Sequence, residues 1–358
     1  MSKYQQLRIA SIHHETLDSV VVELEVPEGK DEWSFQAGQY VGVRADIDGE
    51  DIRRSYSICS TPGEGTLRIG VKKVPGGKFS TYANEELKSG ATLEVLPPQG
   101  RFTHRGETGT AQQYVFFAAG SGITPILSLI GDILQNEPDS EVTLFYGNRT
   151  SDSIMFKEEL AGYKNRYFDR LSLHYILSKE RQGTPYSNGR IDKEKCEIFG
   201  KIFFDTSKVD KYFLCGPEEM IHEVSDWLKN RGVAEDKVLF ELFTTPGSKA
   251  FVRSDEVVKK SFDPKLESHI IVRIDGDTTE FTLEYGGASI LDAATKAGAD
   301  APFSCKGGVC STCKAMVMEG EVEMEVNYGL EPDEVEDGYV LTCQAHPRTE
   351  HILVDYDV

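Results

Sequence analysis

The sequence has no long apolar run and comparatively few basic residues. No stretch of the 358 residues reaches the roughly 18 apolar positions of a membrane-spanning helix, so we expect no membrane association. The first residues lack an apolar signal core, which predicts a cytoplasmic protein. Lys and Arg number 39 against 59 Asp and Glu, and the net charge of −20 disfavours nucleic acid or an anionic membrane as a partner.

Cysteines are few, and most of them lie near the end of the chain. Four of the seven, Cys305, Cys310, Cys313 and Cys343, fall in the last 54 residues. In a cytosolic protein, clustered cysteines favour metal or redox chemistry over disulfides. Their C-x4-C-x2-C spacing, completed after 29 intervening residues by the fourth cysteine, is typical of a plant-type [2Fe–2S] site. The alternatives are unligated core cysteines and a structural zinc site, for which two C-x2–4-C pairs are typical.

The hydrophobic pattern divides the chain into three regions and a linker. Residues 1–110 consist of short alternating segments broken by Gly, Pro and Asp, which is typical of an antiparallel barrel or sandwich. In residues 111–243 strand-like and helix-like segments alternate, which predicts a parallel sheet in an α/β domain. Residues 244–268 show little periodicity and are predicted to be a linker. Residues 269–358 begin with a hairpin pattern, followed by a helix and the cysteine loop.

A constellation in the first region suits a flavin nucleotide. Arg54, Tyr56 and Ser57 lie on a predicted strand, where a guanidinium fits phosphate, an aromatic face fits a flavin ring and a hydroxyl fits the ring nitrogens. An ordinary strand is the alternative. The motif G-G-K-F-S-T opens a helix predicted to begin at Thr81, and such a helix start binds anions through its free N–H groups. A simple N-cap by the serine or threonine of that motif is the alternative.

Two turns in the second region suit a nicotinamide nucleotide. The segment A-A-G-S-G-I-T-P, residues 118–125, follows a strand and opens a helix, so its glycines allow close approach of a pyrophosphate. It is shorter than the G-x-G-x-x-G fingerprint, and a generic strand–turn–helix is the alternative. The segment C-G-P-E-E-M, residues 215–220, also ends a strand, and the carboxyl ends of parallel strands share one edge of a sheet. Arg149, at a third strand end, is the candidate for a 2′-phosphate contact favouring NADPH over NADH, with a surface arginine as the alternative.

Taken in chain order, these motifs resemble the ferredoxin–NADP⁺ reductase superfamily fused to a C-terminal plant-type ferredoxin. R-x-Y-S-x-x-S, G-G-x-x-S-T, G-S-G-I-T-P, Y-G-N-R, C-G-P-x-x-M and the cysteine pattern occur in the order of that family. The chain is similar in particular to the reductase components of phenylacetyl-CoA epoxidase and of aromatic and steroid hydroxylases. The resemblance implies an antiparallel β-barrel flavin domain, an α/β NAD(P) domain with a parallel sheet, and an α+β ferredoxin domain of the β-grasp type.

The resemblance also implies roles for individual residues. The FAD contacts would come from Arg54, Tyr56, Ser57, Gly77, Ser80 and Thr81. The path of NADPH or NADH would be lined by Gly120, Gly122, Thr124, Cys215, Gly216 and Pro217. Phe243 would pack beside the flavin, and the catalytic residues would be Tyr56, Ser57 and Cys215. The ligands of the [2Fe–2S] cluster would be Cys305, Cys310, Cys313 and Cys343.

Together these assignments predict an enzyme that takes a hydride from NAD(P)H and delivers single electrons through FAD and [2Fe–2S]. The expected partner is an oxygenase or hydroxylase, with phenylacetyl-CoA or other aromatic degradation as the setting. The alternative is a non-catalytic iron–sulfur carrier or redox sensor with vestigial nucleotide sites. From His269 onward, 18 Asp and Glu stand against 5 Lys and Arg, which suits either a docking surface for a basic acceptor or a solvated face.

Overall fold

The protein is represented by a computed structural model that describes residues 4–27, 29–104, 106, 110–243 and 266–358. Of the predicted linker, residues 244–265 lie outside these ranges. No helix in the described ranges is long and apolar enough to cross a membrane. The chain divides into two compact units, of which one holds most of residues 4–243 and the other holds the C-terminal region.

The first region is a six-stranded antiparallel sheet in the order β4-β3-β6-β1-β2-β5. An additional antiparallel bridge between Ile58 and Ile69 joins the end of β4 to β5, which closes the sheet into the predicted barrel. Its interior is apolar, with Ile9, Val43 and Val71 fully buried. The elements are β1 (Gln5–Thr16), β2 (Ser19–Leu24), β3 (Tyr40–Ile47), β4 (Glu50–Ser57), β5 (Leu67–Lys72), α1 (Lys78–Glu85) and β6 (Thr92–Val95).

The prediction that the first helix begins at Thr81 was wrong by one turn. Helix α1 begins at Lys78 with Gly77 as its N-cap, and no side chain caps it. The hydroxyl of Ser80 instead donates to the Gly77 carbonyl at 3.2 Å and accepts from the Val74 N–H at 3.1 Å. Ser80, in the first turn of α1, therefore joins the helix to the loop that precedes it.

The second region is a five-stranded parallel sheet in the order β11-β10-β7-β8-β9. Because all five strands run the same way, their carboxyl ends share one edge. Its core continues into the barrel, since Val21, Cys59 and Phe102 belong to the same buried cluster as Ile126. The elements are β7 (Gln113–Ala119), α2 (Ile123–Asn136), β8 (Glu141–Asn148), α3 (Lys157–Arg166), β9 (Leu171–Leu177), α4 (Lys193–Ile202), β10 (Lys211–Gly216), α5 (Glu218–Lys229) and β11 (Val238–Leu242).

The C-terminal region is a mixed sheet in the order β13-β12-β18-β14-β16, with a separate β15-β17 pair. Strands β12 and β18 run parallel, while the β12–β13 hairpin and the β14 pairs are antiparallel. Helix α6 packs through Ile290 and Leu291 into a core that also holds Cys313 and Cys343. The elements are β12 (Glu267–Ile274), β13 (Asp277–Glu284), α6 (Ile290–Lys296), β14 (Lys314–Glu319), β15 (Val322–Met324), α7 (Pro332–Glu336), β16 (Tyr339–Leu341), β17 (Ala345–Pro347) and β18 (His351–Asp355).

Candidate functional site

A cleft of about 1080 Å³ opens within the unit that holds the barrel and the parallel sheet. One wall is formed by residues 72–76 after β5 and by Thr81 of α1. The opposite wall is formed by residues at the carboxyl ends of β7, β8, β9 and β10. Of the residues predicted to bind nucleotide, those that line the cleft are Thr81, Gly120, Gly122, Arg149, Gly216, Pro217 and Phe243. The cleft therefore brings together the two predicted nucleotide segments, which are distant in sequence.

The turn that opens α2 depends on the absence of side chains. A Cβ placed on Gly122 would lie 2.1 Å from the carbonyl oxygen of Cys215, so only glycine lets β7 and β10 approach this closely at their ends. Gly120 has a φ of +55° and its Cβ direction is open, which leaves its backbone accessible from the cleft. Such a turn at a helix N-terminus is a suitable cradle for a pyrophosphate.

The rim at β8 and β9 carries a side-chain amide and two cations that line the cleft. Asn148 is 9% exposed and lines the cleft, and the Tyr146 hydroxyl is the group its side-chain amide faces. Arg149 and Lys179 also line the cleft, are exposed, and form no ion pair in the described part of the chain. Their backbones are joined by the hydrogen bond from Lys179 N–H to the Arg149 carbonyl at 2.8 Å. A buried amide donor beside two cations fits an anionic nucleotide.

The predicted flavin strand is linked to the last strand of the parallel sheet. Ser57 is buried, and its Oγ donates to Oε2 of Glu241 at 2.9 Å. Burial raises the pKa of Glu241 to about 7, although the hydrogen bond from Ser57 opposes the shift. The ring of Tyr56 lies 5.4 Å from that of the buried Phe79. Of residues 241–243, only Phe243 was predicted to contact the flavin. The position of Glu241 near the end of β11 is the sequence signal that could have indicated its role.

The remaining predicted residues lie on β4, at the start of α2 and on β10. Arg54 is two residues before Tyr56 on β4, and the hydroxyl of the buried Thr124 donates to the Ser121 carbonyl at 3.0 Å. Cys215 is fully buried, and burial, followed by the nearby charge of Glu241, raises the pKa of its thiol far above the usual range. Cys215 is therefore a neutral thiol and not a nucleophile.

The four cysteines of the C-terminal region are buried and arranged as two pairs. A hydrogen bond from the Cys310 thiol lowers the pKa of Cys305 to about 6, and a hydrogen bond from the Cys313 thiol likewise lowers the pKa of Cys343. Backbone N–H groups also point at sulfur, since the N–H of Gly307 lies 3.3 Å from Sγ of Cys305. The loop reaches this shape with left-handed conformations at three positions, Lys306, Gly308 and Ser311.

This donor set fits a dinuclear cluster better than a single ion. Within the described ranges no three His, Cys, Asp or Glu side chains converge on one metal position. Two pairs of thiols match a [2Fe–2S] group, in which four cysteines serve two irons. The inward-facing N–H groups suit the negative charge of such a group.

Comparisons with known proteins agree with this geometry. Residues 6–104 match the oxidoreductase FAD-binding domain family, residues 116–226 the oxidoreductase NAD-binding domain family, and residues 272–348 the 2Fe-2S iron-sulfur cluster binding domain family. The chain is 42% identical to one of the subunits of 1,2-phenylacetyl-CoA epoxidase from Escherichia coli, over 100% of this chain and 99% of that protein. It belongs to this family of FAD-, NAD- and [2Fe–2S]-dependent reductases.

Two further relatives extend the comparison. The ferredoxin reductase component of 3-ketosteroid-9-alpha-monooxygenase from Rhodococcus rhodochrous is 29% identical over 98% of this chain and 96% of its own. The solved structure of phthalate dioxygenase reductase shares the fold, with a TM-score of 0.58, 23% identity and 98% coverage of both chains. The predicted fold class and cofactors are thus confirmed: the protein is an oxidoreductase that uses FAD, NAD(P)H and a [2Fe–2S] cluster.

Proposed function

We propose that the protein is the NADPH-dependent reductase component of an oxygenase that acts on phenylacetyl-CoA or a related aromatic thioester. The observation that carries this proposal is the cleft that brings the barrel loop 72–76 to the carboxyl edge of the parallel sheet within one compact unit. The similarity to the E. coli epoxidase component along the whole chain supports the choice of acceptor. Seven free cysteines in the described residues suit the cytoplasm as compartment.

Under this proposal the residues divide the work between three domains, at 1–110, 111–243 and 269–358. When bound, FAD and [2Fe–2S] supply the conversion of a two-electron hydride donor into single electrons. The flavin would be held by Arg54, Tyr56, Ser57, Gly77, Ser80 and Thr81. The coenzyme would be held by Gly120, Gly122, Thr124, Arg149, Cys215, Gly216 and Pro217, and the cluster by Cys305, Cys310, Cys313 and Cys343.

The chain contributes mainly position and exclusion of water. Tyr56 and Ser57 would border the flavin ring, and Ser57 is oriented by its hydrogen bond to Glu241. Cys215, buried next to Gly216 of the cleft, would present an uncharged thiol behind the nicotinamide site. Phe243, 44% exposed on the cleft, would pack beside the flavin. Because no proton transfer is needed for hydride transfer, alignment supplies most of the rate.

The electron route is tested by anaerobic reduction with stoichiometric NADPH, followed by low-temperature EPR. The proposal expects a [2Fe–2S] signal in the wild type. Cys310→Ser is expected to lose that signal while it retains flavin and reduces ferricyanide at the wild-type rate. A wild-type protein whose cluster responds to dithionite but not to NADPH or NADH would refute the assigned route.

The acceptor is tested by adding the reduced protein to the oxygenase component of a phenylacetyl-CoA epoxidase and, in parallel, to that of a steroid monooxygenase. We expect NADPH oxidation coupled to product only with the former. Efficient coupling with the steroid enzyme alone would show that the acceptor assignment is wrong, and it would leave the electron route intact.

The coenzyme preference is tested at Arg149. Its guanidinium lines the cleft and forms no ion pair with a described residue, which suits a 2′-phosphate; a charge-assisted hydrogen bond of this kind contributes about 1.5–3 kcal/mol, or roughly tenfold to a hundredfold in affinity. Arg149→Ala should therefore raise the KM for NADPH by at least about tenfold and leave the KM for NADH unchanged. Arg190→Ala is the matched control, since Arg190 also lines the cleft but is already paired with Glu219 at 3.4 Å. Equal changes for both coenzymes would contradict a 2′-phosphate contact.

A further inference from the structure

Gln344 directly follows the last cysteine and bridges two separate parts of the cysteine loop. Its Nε2 lies 3.1 Å from the carbonyl oxygen of Lys306 and 3.0 Å from that of Cys343. The same nitrogen lies 3.7 Å from Sγ of Cys343, which is within hydrogen-bonding range for sulfur. One half-buried amide thus connects the sulfur of Cys343 to Lys306, which lies 38 positions before Gln344 in the chain.

The amide has more acceptors than hydrogens. Two N–H bonds face three acceptors, so one hydrogen is shared between the carbonyl and the sulfur of Cys343. Other N–H donors to these sulfurs, such as the N–H of Gly307, belong to the backbone and cannot be removed by substitution. A further side-chain bond, from Thr312 to Cys310, stays within a single turn of the loop. Gln344 is therefore the donor that joins distant segments and can be deleted cleanly.

We propose that Gln344 is a positioning residue that raises the reduction potential of the cluster. One-electron reduction adds a negative charge to the iron–sulfur group, and an N–H dipole aimed at a ligand sulfur stabilises the more negative state. The hydrogen bond from Nε2 to the Lys306 carbonyl keeps the amide oriented while the charge of the cluster changes. The inference rests on the proposed function in that Cys305 and Cys343 are taken as cluster ligands.

The test is an EPR-monitored redox titration of the full-length protein with FAD and cluster bound. Gln344→Met keeps the length of the side chain without a donor, and Gln344→Glu keeps its shape while it adds a charge. Both variants should lower the midpoint potential of the cluster. We expect a shift on the order of tenfold in the reduction equilibrium, which is about 59 mV for one electron. The flavin potential should not change in either variant.

Tyr356→Phe is the matched control in the same domain. The buried Tyr356 hydroxyl donates to Oγ1 of Thr342 at 2.6 Å, and that hydroxyl donates to the Cys313 carbonyl at 3.0 Å. Loss of the Tyr356 hydroxyl removes a buried hydrogen bond near the cluster, and it removes no donor to a cysteine sulfur. Tyr356→Phe should therefore speed loss of the cluster to a chelator and leave the midpoint potential unchanged.

Three results would overturn the inference. They are an unchanged potential in the two Gln344 variants, an equal shift in Tyr356→Phe, and loss of the cluster from both Gln344 variants, which would make the residue a structural clamp only. None of these results affects the wild-type electron route. Failure of NADPH to reduce the wild-type cluster would instead refute the proposed function.

Discussion

The half-buried Glu241, whose carboxyl group is withdrawn from water, should make the stability of the barrel–sheet unit depend on pH. Its pKa is raised from 4.5 to about 7, because burial favours the neutral form. For an acid whose pKa is raised by folding, the folded state is relatively most stable below the unfolded pKa. That advantage is lost as the pH rises through the folded pKa. The contribution of Glu241 to the free energy of unfolding should therefore fall between pH 4.5 and about pH 7.

The magnitude follows from the size of the shift. Each pKa unit corresponds to about 1.4 kcal/mol. At pH values above about 7, ionising Glu241 therefore lowers the stability of the folded state by up to about 3 kcal/mol. Glu241→Gln removes this cost and retains an oxygen that accepts from the Ser57 hydroxyl. The wild type should lose up to about 3 kcal/mol more unfolding free energy than the variant between about pH 5 and pH 8.

Urea unfolding followed by tryptophan emission is a suitable assay. The chain has two tryptophans, Trp33 in the barrel and Trp227 on α5, and both are buried in the unit that contains Glu241. Glu235→Gln is the control, since the Glu235 side chain is 80% exposed. Parallel pH profiles for the wild type and Glu241→Gln would refute the argument. So would a change of equal size in the Glu235 control.

Two further predictions concern contacts inside the same unit. Gly122→Ala should lower the free energy of unfolding by at least about 2 kcal/mol and abolish NADPH oxidation, because the new methyl group would lie 2.1 Å from the Cys215 carbonyl oxygen. The control is Gly162→Ala on α3, where the methyl group has open space. It should leave the free energy of unfolding unchanged or raise it in the same assay. Equal effects of the two alanines would contradict this. The Arg68 guanidinium donates to both carboxylate oxygens of Glu159, at 2.9 and 3.1 Å. A double-mutant cycle with Arg68→Met and Glu159→Gln should therefore give a coupling energy of about 1–2 kcal/mol. A coupling energy near zero would show that the pair is only a surface contact.

Local sequence patterns were sufficient for elements with a continuous apolar signal. The alternating strand-like and helix-like segments of residues 111–243 predicted a parallel sheet, and the structure has a parallel sheet of five strands there. The helix Lys193–Ile202 was not predicted, because it is short and only Cys196 and Phe199 of its ten residues are buried.

The candidate site was predictable only where its chemistry is local. The cysteine spacing and the glycine turns are short motifs whose residue types follow from backbone shape and ligand chemistry. The pair Ser57–Glu241 joins residues 184 positions apart, and no periodicity or spacing indicates such a contact. The same holds for the cross-loop contact of Gln344, since it depends on how the chain returns to Lys306.

The packing of α2 against the barrel fixes the position of the glycine turn at the start of this helix. This helix opens at the glycine turn of the cleft, and it is fixed to the barrel along its length. A Cβ on Gly70 of β5 would lie 2.8 Å from Cγ2 of Thr124, and the Ser128 hydroxyl donates to the Ser60 carbonyl at 2.6 Å. One turn further on, a Cβ on Gly131 would lie 2.2 Å from Oγ1 of Thr61. The glycine turn proposed to receive the coenzyme therefore cannot shift without moving the strands beside the residues proposed to bind flavin. Added bulk along this seam should slow flavin reduction more than it weakens coenzyme binding, because alignment is what the seam maintains.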